Sequence, residues 1–233
     1  MSNPHDKTMS LVEHLIELRN VLIKMVIAVA VCTAITAIFT PQILQFLIAP
    51  YGNVLQTIDP TENISIYFRV ALMSGAVLAM PVLVYLLWTF VAPGLESKEK
   101  RYVRLLVPGA TVLFLIGVAF AWGLMLPAAI GFLSTFQSSI FKADWRAGAY
   151  IPFVTALLFW LGVSFETPLI IFFLAKIHLV NARMLLKGWR FAVVGIAIIA
   201  AVITPTVDPF NMMLVMAPLI LLYFFSILLA KLA

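Results

Sequence analysis

Val70 to Ala92 is a run of 23 residues without a charge, and Leu105 to Leu126 is a second of 22. Coiled as a helix at 1.5 Å per residue, either run is long enough to cross a hydrocarbon layer of ~30 Å. An open sheet is excluded from such a layer, because lipid offers no partner to its unpaired backbone groups. Composition agrees with this constraint: 64% of the residues are apolar and 11% charged, far from the mixture of a water-soluble domain. The chain is therefore expected to be an all-α integral membrane protein, a single domain over residues 1–233.

Six spans are predicted: Val21–Thr40, Ile66–Ala92, Leu105–Leu126, Ile151–Ala175, Phe191–Ile203 and Met212–Ala230. Twelve of the 15 Lys and Arg side chains fall on one side of this arrangement and three, Arg69, Lys142 and Arg146, on the other. Basic residues stay cytoplasmic, so both termini are expected to face the cytoplasm, in agreement with the even span count. Pro168, Pro81 and Pro218 are expected to kink spans four, two and six. The two outward loops, Pro41–Ser65 and Pro127–Tyr150, are long, and Ile43, Leu44, Phe46, Leu47 and Ile48 predict a short surface helix; these segments are expected to cap the outer ends of the spans. Span one is expected to act as its own insertion signal, without a cleaved leader.

Several function classes drop out. The net charge of +5 is accounted for by topology and anionic lipid heads, and no basic stripe interleaved with aromatics marks a nucleic-acid partner. Cys32 is the single cysteine, and His5, His14 and His178 lack the spacing of a helical metal pair. There is no phosphate loop, nucleophile elbow or dinucleotide glycine pattern, so no cofactor and no standard enzyme activity are expected.

Acidic residues in three segments attract attention. On the first helix, Glu13, Glu17, Asn20 and Lys24 lie roughly opposite a stripe of Leu11, Leu15, Leu18 and Leu22. Ser10 with Glu13 fits a capping box. A solvated helix face is the ordinary explanation of Glu17, but two like charges at i,i+4 repel by a few tenths of a kcal/mol. In Pro93–Arg101, Glu96 and Glu99 stand near a helix start, where the dipole favours them. Glu166 lies ten residues before Lys176, about 15 Å along a helix and near mid-bilayer. There it faces protein or water or is protonated, either tying helices together or serving binding or transport. Span five, at 13 residues, is too short for an ordinary bilayer.

Four segments carry a family resemblance: His14-Leu15-Ile16-Glu17-Leu18-Arg19, Phe90-Val91-Ala92-Pro93-Gly94-Leu95 with Glu99 and Arg101, Gly162-Val163-Ser164-Phe165-Glu166-Thr167-Pro168, and Ile203-Thr204-Pro205 followed by Asp208. In order and over nearly the whole chain they resemble TatC, the six-span core of the twin-arginine protein translocase. The resemblance implies a concave bundle in the cell inner (plasma) membrane that binds twin-arginine signal peptides of folded substrates. It also implies TatA- and TatB-type single-span partners, a multi-copy complex and transport driven by the proton-motive force. It assigns the two arginines to Glu17 and Glu99, with Arg19, Phe90 and Arg101 shaping the site. Glu166 and Asp208 are implied as intramembrane polar or partner contacts, and Pro50 as a functional position of the first outer loop.

Two features depart from the family pattern. Thr204-Pro205-Thr206-Val207-Asp208 is one residue longer than the usual Thr-Pro-Pro-Asp, and Asn211-Met212 replaces a frequent Ser-Gln, so no polar contact is carried over to Met212. A proton-coupled small-solute transporter using Glu166 is the competing reading; it leaves Glu17 and Glu99 unexplained. A passive membrane scaffold is a third.

Overall fold

The computed structural model describes residues 11–91, 100–140, 144–204 and 209–232, and for Leu11 and residues 100–105 the backbone alone. The elements are α1 (Leu11–Ile38), α2 (Thr40–Ile48), α3 (Glu62–Val91), α4 (Lys100–Phe120), a π-helical turn (Ala121–Met125), α5 (Leu126–Thr135), α6 (Ala147–Phe165), α7 (Thr167–Lys176), α8 (Ala182–Ile203) and α9 (Pro209–Leu232). They supply six stretches of membrane-spanning length and apolarity. The all-helical expectation holds, and α2 is the predicted short helix.

Neighbouring spans run antiparallel and meet where side chains are small. Thr36 Oγ1 on α1 donates to Ala71 O on α3 at 2.8 Å, and Tyr67 Oη on α3 donates to Ala37 O. One turn beyond the Thr36–Ala71 bond α1 and α3 close up at Gly75, where a Cβ would lie 2.6 Å from Thr33 Cα. α4 meets α6 in the same way, Gly117 standing against Gly162. Close backbone approach through small residues and interhelical hydrogen bonds is how helices associate in lipid, which gives no hydrophobic drive of its own. Around α6 the buried Ile151, Val154, Leu157 and Leu161 gather Val70, Leu126, Ile203 and Val215 into one core. A second cluster forms around Phe114, with Trp88 packed edge-on against Phe173 at 4.5 Å.

Several predicted boundaries shift. The first span begins at Val12 rather than Val21, because the charged segment before it is the same helix continued. The third extends to Thr135: Pro127 cannot bond back to residue 123, and the wide π turn just upstream absorbs the lost bond. The fourth starts at Ala147 and the second at Glu62, so the two loops that precede them are shorter than expected. The fifth has 22 residues, about 33 Å of helix, so the expectation of a short helix is corrected. Its first turns carry Arg183, Lys187 and Arg190 and escape an apolar count, while Asn181 caps it by accepting from Met184 N at 2.8 Å. Span four is divided at Glu166, beside Pro168, whereas α3 and α9 are continuous helices through Pro81 and Pro218. Ser10, the predicted cap, lies outside the described residues.

Candidate functional site

Because α1 and α3 are antiparallel, the start of α1 meets the end of α3. His14 stacks on Phe90 there, with ring centroids 4.4 Å and planes 19° apart. Glu17 follows one turn later on the same side of α1, its Oε2 3.9 Å from His14 Nδ1, beyond hydrogen-bond length. That oxygen is out of solvent and has no hydrogen-bond partner among the described residues. Glu17 is half-buried, with a side chain 28% exposed, and Val21 one turn further is buried. Of the leucine stripe, Leu15 and Leu22 are exposed and Leu18 is half-buried like Glu17. Glu17 is thus not on the solvated face that pattern alone offers. Arg19 is exposed and donates to Asn20 Oδ1 at 3.2 Å.

The structure therefore brings Glu17 and Phe90 to one place, through His14, with Arg19 on the adjoining helix surface. Glu99 and Asp208 lie outside the described residues. Arg101 is in the first turn of α4, and of its side chain nothing is described.

Glu166 occupies the break between α6 and α7. Its N–H donates to Val163 O at 3.1 Å, and its carbonyl accepts from Leu169 N and Ile170 N, both at 3.0 Å. The side chain is buried, and Oε1 has no hydrogen-bond partner among the described residues. A buried polar atom without a partner is costly in a dry setting. The break thus holds a buried carboxyl oxygen without a partner among the described residues inside a stretch of membrane-spanning length.

At the opposite end from His14 the loop before α3 and the loop before α6 are stitched together. Gln56 N donates to Trp145 O at 3.0 Å and Ala147 N to Gln56 O at 2.8 Å. Beside this bridge the buried Glu62 carboxylate accepts from Ile58 N at 2.9 Å, Asp59 N at 3.2 Å, Arg146 Nε at 3.1 Å and Gly148 N. Arg146 also pairs with Asp59. Pro50 lies in the turn after α2, where Tyr51 N donates to Ile48 O at 2.9 Å. That turn delivers Tyr51 onto Trp145, with centroids 4.7 Å apart, and Tyr150 Oη donates to Leu47 O at 2.9 Å. These contacts cap that end of the spans.

Sequence reasoning gave His14 no role and passed over Glu62 and Arg146. An acid at a helix start and an arginine 84 residues later have no local signal that joins them. His14 had one: it is three residues before Glu17, one turn along the same face.

Together these features define a polytopic helical membrane protein with a carboxylate–aromatic site at one end, a stitched cap at the other and a buried acid between. A family model described as "Sec-independent protein translocase protein (TatC)" matches residues 13–218. The chain belongs to the TatC family. It is 34% identical over 229 residues to the Sec-independent protein translocase protein TatC of Carboxydothermus hydrogenoformans, covering 97% of this chain and 94% of that one. Its identity to the Deinococcus radiodurans protein of the same description is 37%, covering 95% and 85%. Its fold matches a crystal structure described as Twin Arginine Translocase Receptor TatC with a TM-score of 0.87 at 35% identity, covering 94% of this chain and 99% of that one. By family the protein is a translocase component rather than an enzyme.

Proposed function

We propose that this chain is the signal-peptide receptor of a twin-arginine translocase, multi-pass in the cell inner membrane with both termini cytoplasmic. The observation that carries the reading is the half-buried Glu17 carboxylate, one oxygen without a partner among the described residues, one turn from the Phe90 contact. A guanidinium forks onto a carboxylate with two parallel hydrogen bonds and lies flat on an aromatic ring. Glu17 would take one arginine and Glu99 the other, with Arg19 and Arg101 shaping the approach. TatA- and TatB-type single-span subunits would complete a multi-copy complex driven by the proton-motive force. Glu166 and Asp208 would meet the inserted peptide or partner helices. Family membership supports this over a small-solute transporter built on Glu166.

The test is binding of a signal peptide to the protein in nanodiscs, comparing Arg-Arg with Lys-Lys forms, with and without a TatB-type subunit. Preference for Arg-Arg that is lost in Glu17→Ala and Glu99→Ala is the expected result. Equal binding of both peptides in both settings would sink the reading.

A further inference from the structure

Phe90 and Glu17 supply the two halves of a guanidinium subsite, a face for its plane and a carboxylate for its donors. In the free protein that place is taken. The imidazole of His14 lies on the Phe90 ring at 4.4 Å and turns Nδ1 toward Glu17 Oε2 at 3.9 Å. At that distance it covers the carboxylate without hydrogen bonding to it, and Oε2 stays buried and without a partner among the described residues. An imidazole and a guanidinium are both flat groups with in-plane N–H donors. Both cannot lie on the Phe90 face beside the same carboxylate.

We propose that His14 is the resident occupant of the arginine subsite, covering Phe90 and Glu17 until an incoming guanidinium displaces it. This rests on the reading of Glu17 and Phe90 as an arginine site. With its side chain 49% exposed, His14 has an open side toward which it can swing. A guanidinium recovers the stack and adds the fork that the imidazole does not make. A lysine ammonium, compact and strongly hydrated, can pair as a point charge with the exposed part of Glu17, whose side chain is 28% exposed, without taking the place of the imidazole on the ring. Displacement therefore lowers the affinity for arginine specifically and speeds release of the bound peptide, because the competitor is tethered one turn away.

The experiment measures binding of Arg-Arg and Lys-Lys signal peptides to the full chain in nanodiscs, as wild type, Glu17→Gln, His14→Ala and His14→Phe. The Glu17→Gln arm reports on the arginine site itself. If it binds the Arg-Arg peptide as well as wild type does, that reading fails and the inference fails with it. With Glu17→Gln defective, the histidine arms decide. Removing a stacked ring in His14→Ala is expected to tighten Arg-Arg binding ~2- to 10-fold, with little change for Lys-Lys. His14→Phe, which keeps a ring on Phe90 without a donor, is expected to bind Arg-Arg more weakly than His14→Ala. In wild type with 13C-labelled histidine, the His14 ring protons are expected to move downfield on addition of Arg-Arg peptide, as they leave the Phe90 ring current. His14→Ala that binds Arg-Arg equally or more weakly, or ring protons that stay in place, would overturn the displacement and leave the arginine site standing.

Discussion

Gly75 on α3 crosses Thr33 on α1 so closely that a Cβ at position 75 would lie 2.6 Å from both Thr33 N and Thr33 Cα. This contact sets the spacing of the two helices that carry His14, Glu17 and Phe90. Backbone cannot step aside as a side-chain tip can, so Gly75→Ala must push α1 away from α3. Overpacking of this kind costs about 1–3 kcal/mol. Gly75→Ala is expected to lower the thermal midpoint in detergent and to weaken peptide binding. Gly123→Ala, where a Cβ meets nothing within 4 Å, is expected to leave both unchanged.

Phe90→Leu keeps an apolar side chain and removes the aromatic face. If a guanidinium lies on that face, Arg-Arg peptide binding falls ~2- to 30-fold, the range of a cation–π contact. Phe90→Tyr is expected to retain it. Titration of the peptide against each variant decides, and equal loss in Leu and Tyr would assign Phe90 to packing alone.

Glu62 and Arg146 hold the loop before α3 and the loop before α6 together through four donors to one buried carboxylate. Glu62→Gln preserves shape but exchanges charge-assisted bonds for weaker ones and turns a donor toward Arg146. Faster proteolysis of these loops and a lower thermal midpoint are expected. Arg146→Met is expected to act in the same direction. The double variant should lose less than the sum of the two, and strict additivity would show the pair uncoupled.

Glu166→Ala and Glu166→Gln separate two roles for the buried acid. The amide can still accept and donate, so Glu166→Gln is expected to keep partner contact. Glu166→Ala is expected to bind signal peptide normally at Glu17 yet to fail at deep insertion or partner contact, read by crosslinking along the peptide. Normal transport by Glu166→Ala would leave the side chain a helix-tying role only.

Pro50 and Gly52 shape the turn that presents Tyr51 to Trp145. Gly52 has φ +74° with nothing within 4 Å of a Cβ, so Gly52→Ala is strained by its backbone and not by crowding. A cost of about 1–2 kcal/mol is expected. Pro50→Ala frees the unfolded chain and is expected to cost about 0.4–1 kcal/mol. Thermal unfolding of both, with tryptophan fluorescence reporting the Tyr51–Trp145 contact, checks the order.

Fold class, span number and the short α2 helix could be read directly from residue order. Long uncharged runs in a solvent without hydrogen-bonding partners admit helices and little else. The break beside Glu166 was visible for a similar reason, since Pro168 restricts the chain locally whatever packs around it. Helix ends were not legible where polar residues continue a helix past the apolar layer, as from Val12 to Asn20 and from Ala182 to Arg190. An apolar count measures the lipid and not the helix.

The local pattern of α1 offered Glu17 a solvated face. Only the packing of α1 against α3 decided that Glu17 is half-buried and Leu15 exposed, because in a membrane the apolar side of a helix has no obligation to face protein. Tertiary structure alone also brought His14 onto Phe90, 76 positions away, and joined Glu62 to Arg146. Such pairs depend on helix crossing points, and these are set by small residues such as Gly75 and Gly117 whose partners lie elsewhere in the chain. Sequence by itself determined which segments enter the membrane, through local hydrophobicity. The structure decided which side chains meet there, through contacts that no local property encodes.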